Sequence, residues 1–453
     1  MQIKNIKQSL TVKILFTGFL ALMLLIPLGM VTGVISEREG RRAAAIKEVS
    51  EKWGFEQFLQ GPVLVVPYQT RYVDEKKVTR MSIENAYFLP ESLKISGRIL
   101  PEKRSRGLYE VILYSLKDLH FRGEFKKPDF RKLNIAGKNV LWERAFLAVG
   151  IPDNRGIQKE IRLKWNGESL IFLPGVKNAQ VFTSGIHVQL KNLGRGGATL
   201  AYDFRIDLRG SSSLSFAPLG KETIVEMESP WEHPSFFGAY LPATREISGK
   251  GFSASWKVSY FGRNIPQEWK EGETPDPQVF ARSAFGVKMY LPVDFYQKCV
   301  RAVKYGFLFI SLTFLAFFLF ELFNRLNIHP IQYLMVGFAM CLFYLLFLSL
   351  SEHMNFLLSY TLSTLGVIGM ISGYCFKVLG TRRHAAFMAG LLVMLYGYLY
   401  ILLENEDYTL LLGSLALFII LGTVMYITRN IDWYNIRLGN DREGSESLEG
   451  FSS

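Results

Sequence analysis

The sequence predicts an α-helical membrane protein with six transmembrane helices, one N-terminal and five C-terminal, and a large β-rich domain of antiparallel, sandwich-like character. Three observations carry this. An apolar block from Tyr305 to about Thr428 supplies the roughly 20-residue length of a spanning helix about five times over. Another uncharged run of about 22 residues, Ile14 to Ile35, follows a basic leader. Between them, residues 36–300 carry short alternating runs and are long enough to bury a core of their own, in one lobe or two.

Taken in order, residues 1–13, MQIKNIKQSLTVK, form a basic cytoplasmic leader. Residues 14–35 read as an uncleaved signal anchor, because a cleavable signal has an apolar core of only about 7–15 residues. Val31-Thr32-Gly33 is the cleavage site on the alternative reading. Pro27 removes one backbone hydrogen bond and is expected to bend the span. Beyond it, Ala45, Val49 and Trp53 fall four apart, with Phe58 roughly one turn further. That pattern predicts an amphipathic helix ending at Gly61-Pro62. The run VLVVPY comes next, β-branched and apolar, and from there the period alternates.

In TLAYDFRIDLR, Thr199 to Arg209, the residues Leu200, Tyr202, Phe204, Ile206 and Leu208 alternate strictly with polar neighbours, so one face is buried and the other wet. GFSASWKVSYF repeats the device with Phe252, Ala254, Trp256, Val258 and Tyr260, while GLYEVILYSL and HFRGEF read as less regular strands. Turn signals such as GRGG, RGSSS and PLGK separate these runs, which argues for an antiparallel sheet stack. The strand candidates end near Tyr290, and the first and second spans are expected to be neighbours because both tie down this domain.

Polar breaks divide the C-terminal block, 301–428, into spans at about 305–323, 331–350, 356–376, 385–403 and 408–427. The first and third breaks carry Arg325 and then Lys377, Arg382 and Arg383; the second and fourth carry no Lys or Arg. The positive-inside rule therefore puts both termini in the cytoplasm and residues 36–300 outside. Residues 429–453 form a cytoplasmic tail, polar and expected to be disordered beyond about Arg437.

The formal net charge of +12 does not mark a nucleic-acid binder, since basic and acidic residues interleave through the central region. Cys341 and Cys375 fall inside apolar spans and Cys299 just before one, so no disulfide framework is expected. The outer domain holds no GxxxxGK[ST], GxSxG or HExxH, and no cofactor is expected.

The densest cluster of chemically capable side chains outside the membrane is Trp231-Glu232-His233-Pro234, where a His beside a Glu could serve acid–base chemistry. The flanking prolines and aromatics favour a rigid corner packed on the sheet. His329, Gln332 and Tyr333 open the third span, where Pro330 at the first helical position favours a plain helix start over a ligand site. Glu352 and His353, at the outer end of that span, are candidates for a metal or a head group, although two ligands leave a metal site incomplete. Glu321 is the acidic residue within a span, a functional candidate by default. Its spacing to Arg325 reads instead as a paired interfacial anchor.

Several stretches resemble the bacterial inner-membrane family called CreD, the cell envelope integrity family. They are SPWEHPSFFGAYLPATREIS at 229–248, AFFLFELFNRLNIHPIQYLMVGFAMCLFYLLFLSLSEH at 316–353 and ITRNIDWY at 427–434. GPVLVVPY at 61–68 and FLPESLKISG at 88–97 add support. The resemblance runs nearly end to end. It implies a plasma-membrane protein of a Gram-negative-type envelope, linked to envelope integrity and stress signalling, with no established catalytic activity to carry over.

The expected partners are the lipid bilayer and envelope proteins or glycans, bound or scaffolded by the periplasmic domain without catalysis. The rival reading is a membrane-surface enzyme that modifies lipid or glycan components through His233 or His353. Transport is disfavoured, because no span carries a mid-membrane Lys, Arg or Asp.

Overall fold

The structure, a computed structural model, describes residues 10–73, 78–177, 181–191, 193, 197–289, 295–324, 326, 328–379, 381–405 and 408–430. The chain divides into a helical unit, residues 1–41 with 293–453, and a β-rich unit, residues 42–292. The eight helices among the described residues are α1 (Leu10–Met23), α2 (Leu25–Trp53), the short α3 (Pro277–Arg282), α4 (Phe295–Asn324), α5 (Pro330–Ser351), α6 (Phe356–Val378), α7 (Arg382–Glu404) and α8 (Thr409–Thr428).

Six helical stretches are long and apolar enough to span a membrane, α1 and α2 counting as one. The one interruption between α1 and α2 falls at Leu24, beside the carbonyl of Met23 to which Pro27 has no N–H to donate. In the helical unit α1 packs against α4 and α5, consecutive helices from α4 to α8 pack as antiparallel neighbours, and α7 returns to α4. The first and second spans are thus adjacent. Asn355 caps α6 through the Leu358 N–H at 2.9 Å, and Thr381 caps α7 through the His384 N–H at 3.4 Å.

Two expectations at the entry to the β-rich unit need correction. Helix α2 stops at Trp53, not at Gly61-Pro62, and Phe58 lies in a strand. Gly54 ends the helix because it adopts φ +141°, open to glycine, while its N–H still bonds to the Ser50 carbonyl at 2.8 Å. Gly61 and Pro62 lie within the first strand, at the point where its register shifts.

The strands are β1 (Gln57–Val73), β2 (Thr79–Phe88), β3 (Ser92–Arg106), β4 (Tyr109–Lys126), β5 (Phe146–Gly150), β6 (Arg162–Trp165), β7 (Glu168–Ile171), β8 (Leu173–Pro174) and β9 (Gly185–Gln189). They continue with β10 (Thr199–Ser211), β11 (Ser213–Phe216), β12 (Glu222–Ser229), β13 (Pro234–Gly238), β14 (Thr244–Ser248), β15 (Gly251–Ser259), β16 (Glu268–Lys270) and β17 (Phe285–Met289).

Two sheets form. One runs β13-β17-β11-β1-β5-β9-β8, with β2 and β16 attached through β1; the other runs β14-β15-β12-β3-β4-β10-β6-β7. Each is mainly antiparallel but contains one parallel pair, β1 with β11 and β3 with β12. These pairs join strands far apart in sequence, which hairpins cannot connect.

The alternating faces of β10 and β15 pack between the sheets. Phe204 stacks on Phe121 with centroids 4.9 Å apart and meets Phe172 edge-on at 5.2 Å. Strand β1 does not alternate because both its faces are covered. Leu64 and Val66 join the core between the sheets, and Val63 and Val65 join a second core with Trp269 and Phe280 of the segment that folds over the sheet. The two runs read as separate strands, GLYEVILYSL and HFRGEF, are the single strand β4. It is bulged at Lys117–Asp118, where Asp118 adopts φ 53° and its N–H bonds to Asp207 Oδ1 at 2.8 Å.

The end of α2 is tied to this unit by side chains. The Trp53 ring lies between the guanidinium groups of Arg104 and Arg209, 4.3 and 4.1 Å from its centroid, and its Nε1 donates to the Tyr114 carbonyl at 3.2 Å. Asp153 accepts from the Phe55 N–H at 3.1 Å and from Arg155 Nε at 2.8 Å. Burial pushes the Asp153 carboxyl up, but the hydrogen bonds from Arg155 and Phe55 outweigh it and hold the group below the usual range.

Candidate functional site

Six of the nine candidate residues lie at the two ends of the helical unit, and the larger cluster is built on Glu321. It sits in the last turn of α4 and is 1% exposed. Its Oε2 accepts from the Tyr333 hydroxyl at 2.9 Å and its Oε1 from the Ile328 N–H at 2.9 Å. Lys13 of α1 supplies the charge partner, donating from Nζ to Oε1. Arg325, the partner that the spacing predicts, lies outside the described residues. Three donors from three segments thus satisfy one intramembrane carboxylate, and the geometry is that of a clasp between the first, second and third spans.

His329 and Gln332 cap α5 next to it. His329 Nδ1 accepts from the Ile331 N–H at 3.3 Å, and Gln332 Oε1 accepts from the His329 N–H at 2.9 Å. This reciprocal cap, with Pro330 at the first helical position, is the helix start read from the sequence. Tyr333 faces inward, with Phe314 edge-on at 5.5 Å.

At the other end of the unit Glu352 and His353 part company. Glu352 accepts from the Tyr296 hydroxyl at 3.0 Å and pairs with Arg38 at 3.4 Å. His353 is exposed and points no ring nitrogen at a partner among the described residues. Nearby Lys298 pairs with Glu404 at 3.0 Å, and Arg301 donates to the Leu402 carbonyl and to Thr409 Oγ1 at 3.0 and 2.8 Å. Between α4, α7 and α8 lies an apolar cleft of about 790 Å³, walled by Leu308, Leu312, Leu395 and Leu417. Helix α8 itself buries no residue, as expected of a helix that faces lipid.

In the β-rich unit Trp231 is 9% exposed, its Nε1 donating to the His233 carbonyl at 3.0 Å and Lys103 lying 5.4 Å from the ring centroid. Glu232 and His233 are exposed and share no hydrogen bond with each other or with another described side chain. The WEHP stretch is therefore a corner held by its tryptophan, leading into β13 at the edge of one sheet. Among the described residues no three His, Cys, Asp or Glu side chains converge as metal ligands would.

The sequence reading missed a hollow of about 580 Å³ on the open face of the β14-to-β7 sheet. Lys94, Arg122, Asp203 and Lys164 lie in one row across β3, β4, β10 and β6. His120 occupies Asp203 at 2.8 Å and Glu226 occupies Lys94 at 2.8 Å, while Arg122 and Lys164 have no carboxylate partner among the described residues. The floor depends on Gly123, where a Cβ would come within 2.0 Å of the Ser92 carbonyl oxygen. The rim is the β6–β7 turn, Asn166-Gly167, whose Asn166 Oδ1 accepts from the Ala201 N–H at 2.9 Å. Asn-Gly between two alternating runs is the strongest short hairpin signal and would have located this rim from the sequence.

Six spanning helices, with a two-sheet domain inserted between the first and the second, define a multi-pass membrane protein carrying one large non-membrane domain. The chain belongs to the CreD family: it matches the family described as "Inner membrane protein CreD" over residues 9–434. It is 33% identical over 436 residues to the inner membrane protein CreD of Escherichia coli (strain K12), a similarity that covers 94% of each chain. Multi-pass residence in the inner membrane follows.

Proposed function

We propose that this protein supports envelope integrity and the response to envelope stress by non-enzymatic binding, with its β-rich domain in the periplasm as the binding module. The observation that carries this is a contrast within that domain. The residue types suited to catalysis, Glu232 and His233, stand exposed and unconverged. The shaped surface is instead the hollow bearing Arg122 and Lys164. Two cations with no ion pair among the described residues, beside Asp203 and Glu124 in the same lining, suit a polar envelope component that carries an anionic group, a glycan or a protein surface.

The paired variant Arg122→Glu/Lys164→Glu should lose protection against detergent and antibiotics at an unchanged protein level. Retention of full protection would remove the hollow from the binding role.

The sidedness rests on the loop charges, and the pairing of Arg38 with Glu352 and of Lys298 with Glu404 accounts for basic residues at the outer end. A reporter that is active only in the periplasm should work when fused at about residue 150 or at Asn355 and stay silent at Thr381. Activity at Thr381 would reverse the orientation.

A further inference from the structure

The segment linking β15 to β16 buries an arginine that no carboxylate among the described residues neutralises. Arg263 is 6% exposed, yet its Nε and Nη1 have no hydrogen-bond acceptor among the described residues. Its Nη2 donates to Gln267 Oε1 at 2.7 Å. That acceptor is held in place, because Gln267 Nε2 donates to the carbonyls of Leu89 and Pro90 at 3.0 and 2.8 Å. No carboxylate pairs with Arg263 among the described residues, and the titratable group beside it is Tyr240, whose hydroxyl donates to the Gly262 carbonyl at 2.5 Å.

Burial brings the Arg263 guanidinium down to about 10, so it remains a cation at neutral pH. A buried cation with two idle donor nitrogens is costly unless something anionic satisfies it. Other buried or half-buried charges of this domain do have partners, as Asp153 has Arg155 and Asp207 has Lys159.

The corner around Arg263 also exposes apolar surface. Phe261 is 85% and Leu241 67% exposed, and the Tyr240–Gly262 hydrogen bond holds their two segments together. Exposed apolar surface rimmed by polar groups is a feature of binding sites, and here it lies beside the buried guanidinium. We propose that Arg263 is the receiving group of a site for a single oxyanion, a carboxylate or a phosphate, in the corner built by residues 239–243 and 260–267. Gln267 orients the guanidinium, and Phe261 and Leu241 form the apolar lip past which the anion enters. The site is separate from the hollow of Arg122 and Lys164, and its test does not depend on the envelope phenotype.

The purified full-length chain in detergent is titrated with sodium phosphate, with sodium acetate and with sodium chloride at matched ionic strength, and its unfolding midpoint is followed. Phosphate or acetate should raise the midpoint beyond chloride, as a ligand that binds only the native state must. A response to one and not the other identifies which oxyanion the site takes. Arg263→Gln should weaken the binding at least tenfold. An equal rise in the Arg263→Gln protein would place the anion elsewhere and overturn the proposal, as would a wild-type chain indifferent to both anions. Should the variant fail to accumulate, hydrogen exchange on the wild-type chain decides. Added anion should slow exchange in residues 239–243 and 260–267, and unchanged exchange there would overturn the site.

Discussion

Glu321→Ala is expected to destabilise the helical unit by about 3–5 kcal/mol, the usual cost of breaking a buried charge pair from one side. The substitution strips Lys13 of its counter-charge and leaves the Tyr333 hydroxyl and the Ile328 N–H without their acceptor. Measured as the unfolding midpoint in detergent, the loss should exceed that of any single substitution on the surface of α8, which buries nothing. Lys13→Met should also destabilise, and the double variant Lys13→Met/Glu321→Ala should cost less than the two single changes together, because neither charge is then stranded. Strict additivity would mean that the two residues do not work as a pair.

Phe204→Ala is expected to cost about 3–5 kcal/mol as well, the range for truncating a buried aromatic ring. Phe204 is 1% exposed, and its removal takes one partner from the Phe121 stack and one from the Phe172 edge contact. Phe204→Leu, which refills part of the space, should recover much of the loss. Thermal unfolding of the full chain followed by near-UV circular dichroism checks this, and a change below about 1 kcal/mol would contradict the packing described.

The spans and the regular strands were legible because their signals are local. Thr199 to Arg209 alternates over its whole length and appears as β10, and the five C-terminal spans lie within a few residues of their expected places except for the start of α4. That helix begins at Phe295, ten residues before the apolar run at Tyr305. Lys298, Arg301 and Lys304 interrupt the apolar pattern, and two of them are accommodated by Glu404 and by the Leu402–Thr409 turn, which the local sequence does not announce.

Long-range pairing was not legible for the same reason. The spacing pointed Glu321 toward Arg325, but Lys13, 308 residues away, reaches it through the packing of α1 against α4. Gly61-Pro62 read as a helix stop because glycine and proline punctuate helices and strand bulges alike, and only pairing with β5 distinguishes the two. The hollow of Arg122 and Lys164 needs β3, β4, β10 and β6 side by side, an order that follows from topology alone.

The claim that the protein acts by binding and not by catalysis is tested most directly by Glu232→Ala, His233→Ala and His353→Ala. Each is expressed in cells that lack their own copy, with detergent and antibiotic sensitivity and protein level measured together. Each variant should protect as well as the unaltered chain. Loss of protection at a normal protein level in any one of them would contradict the account.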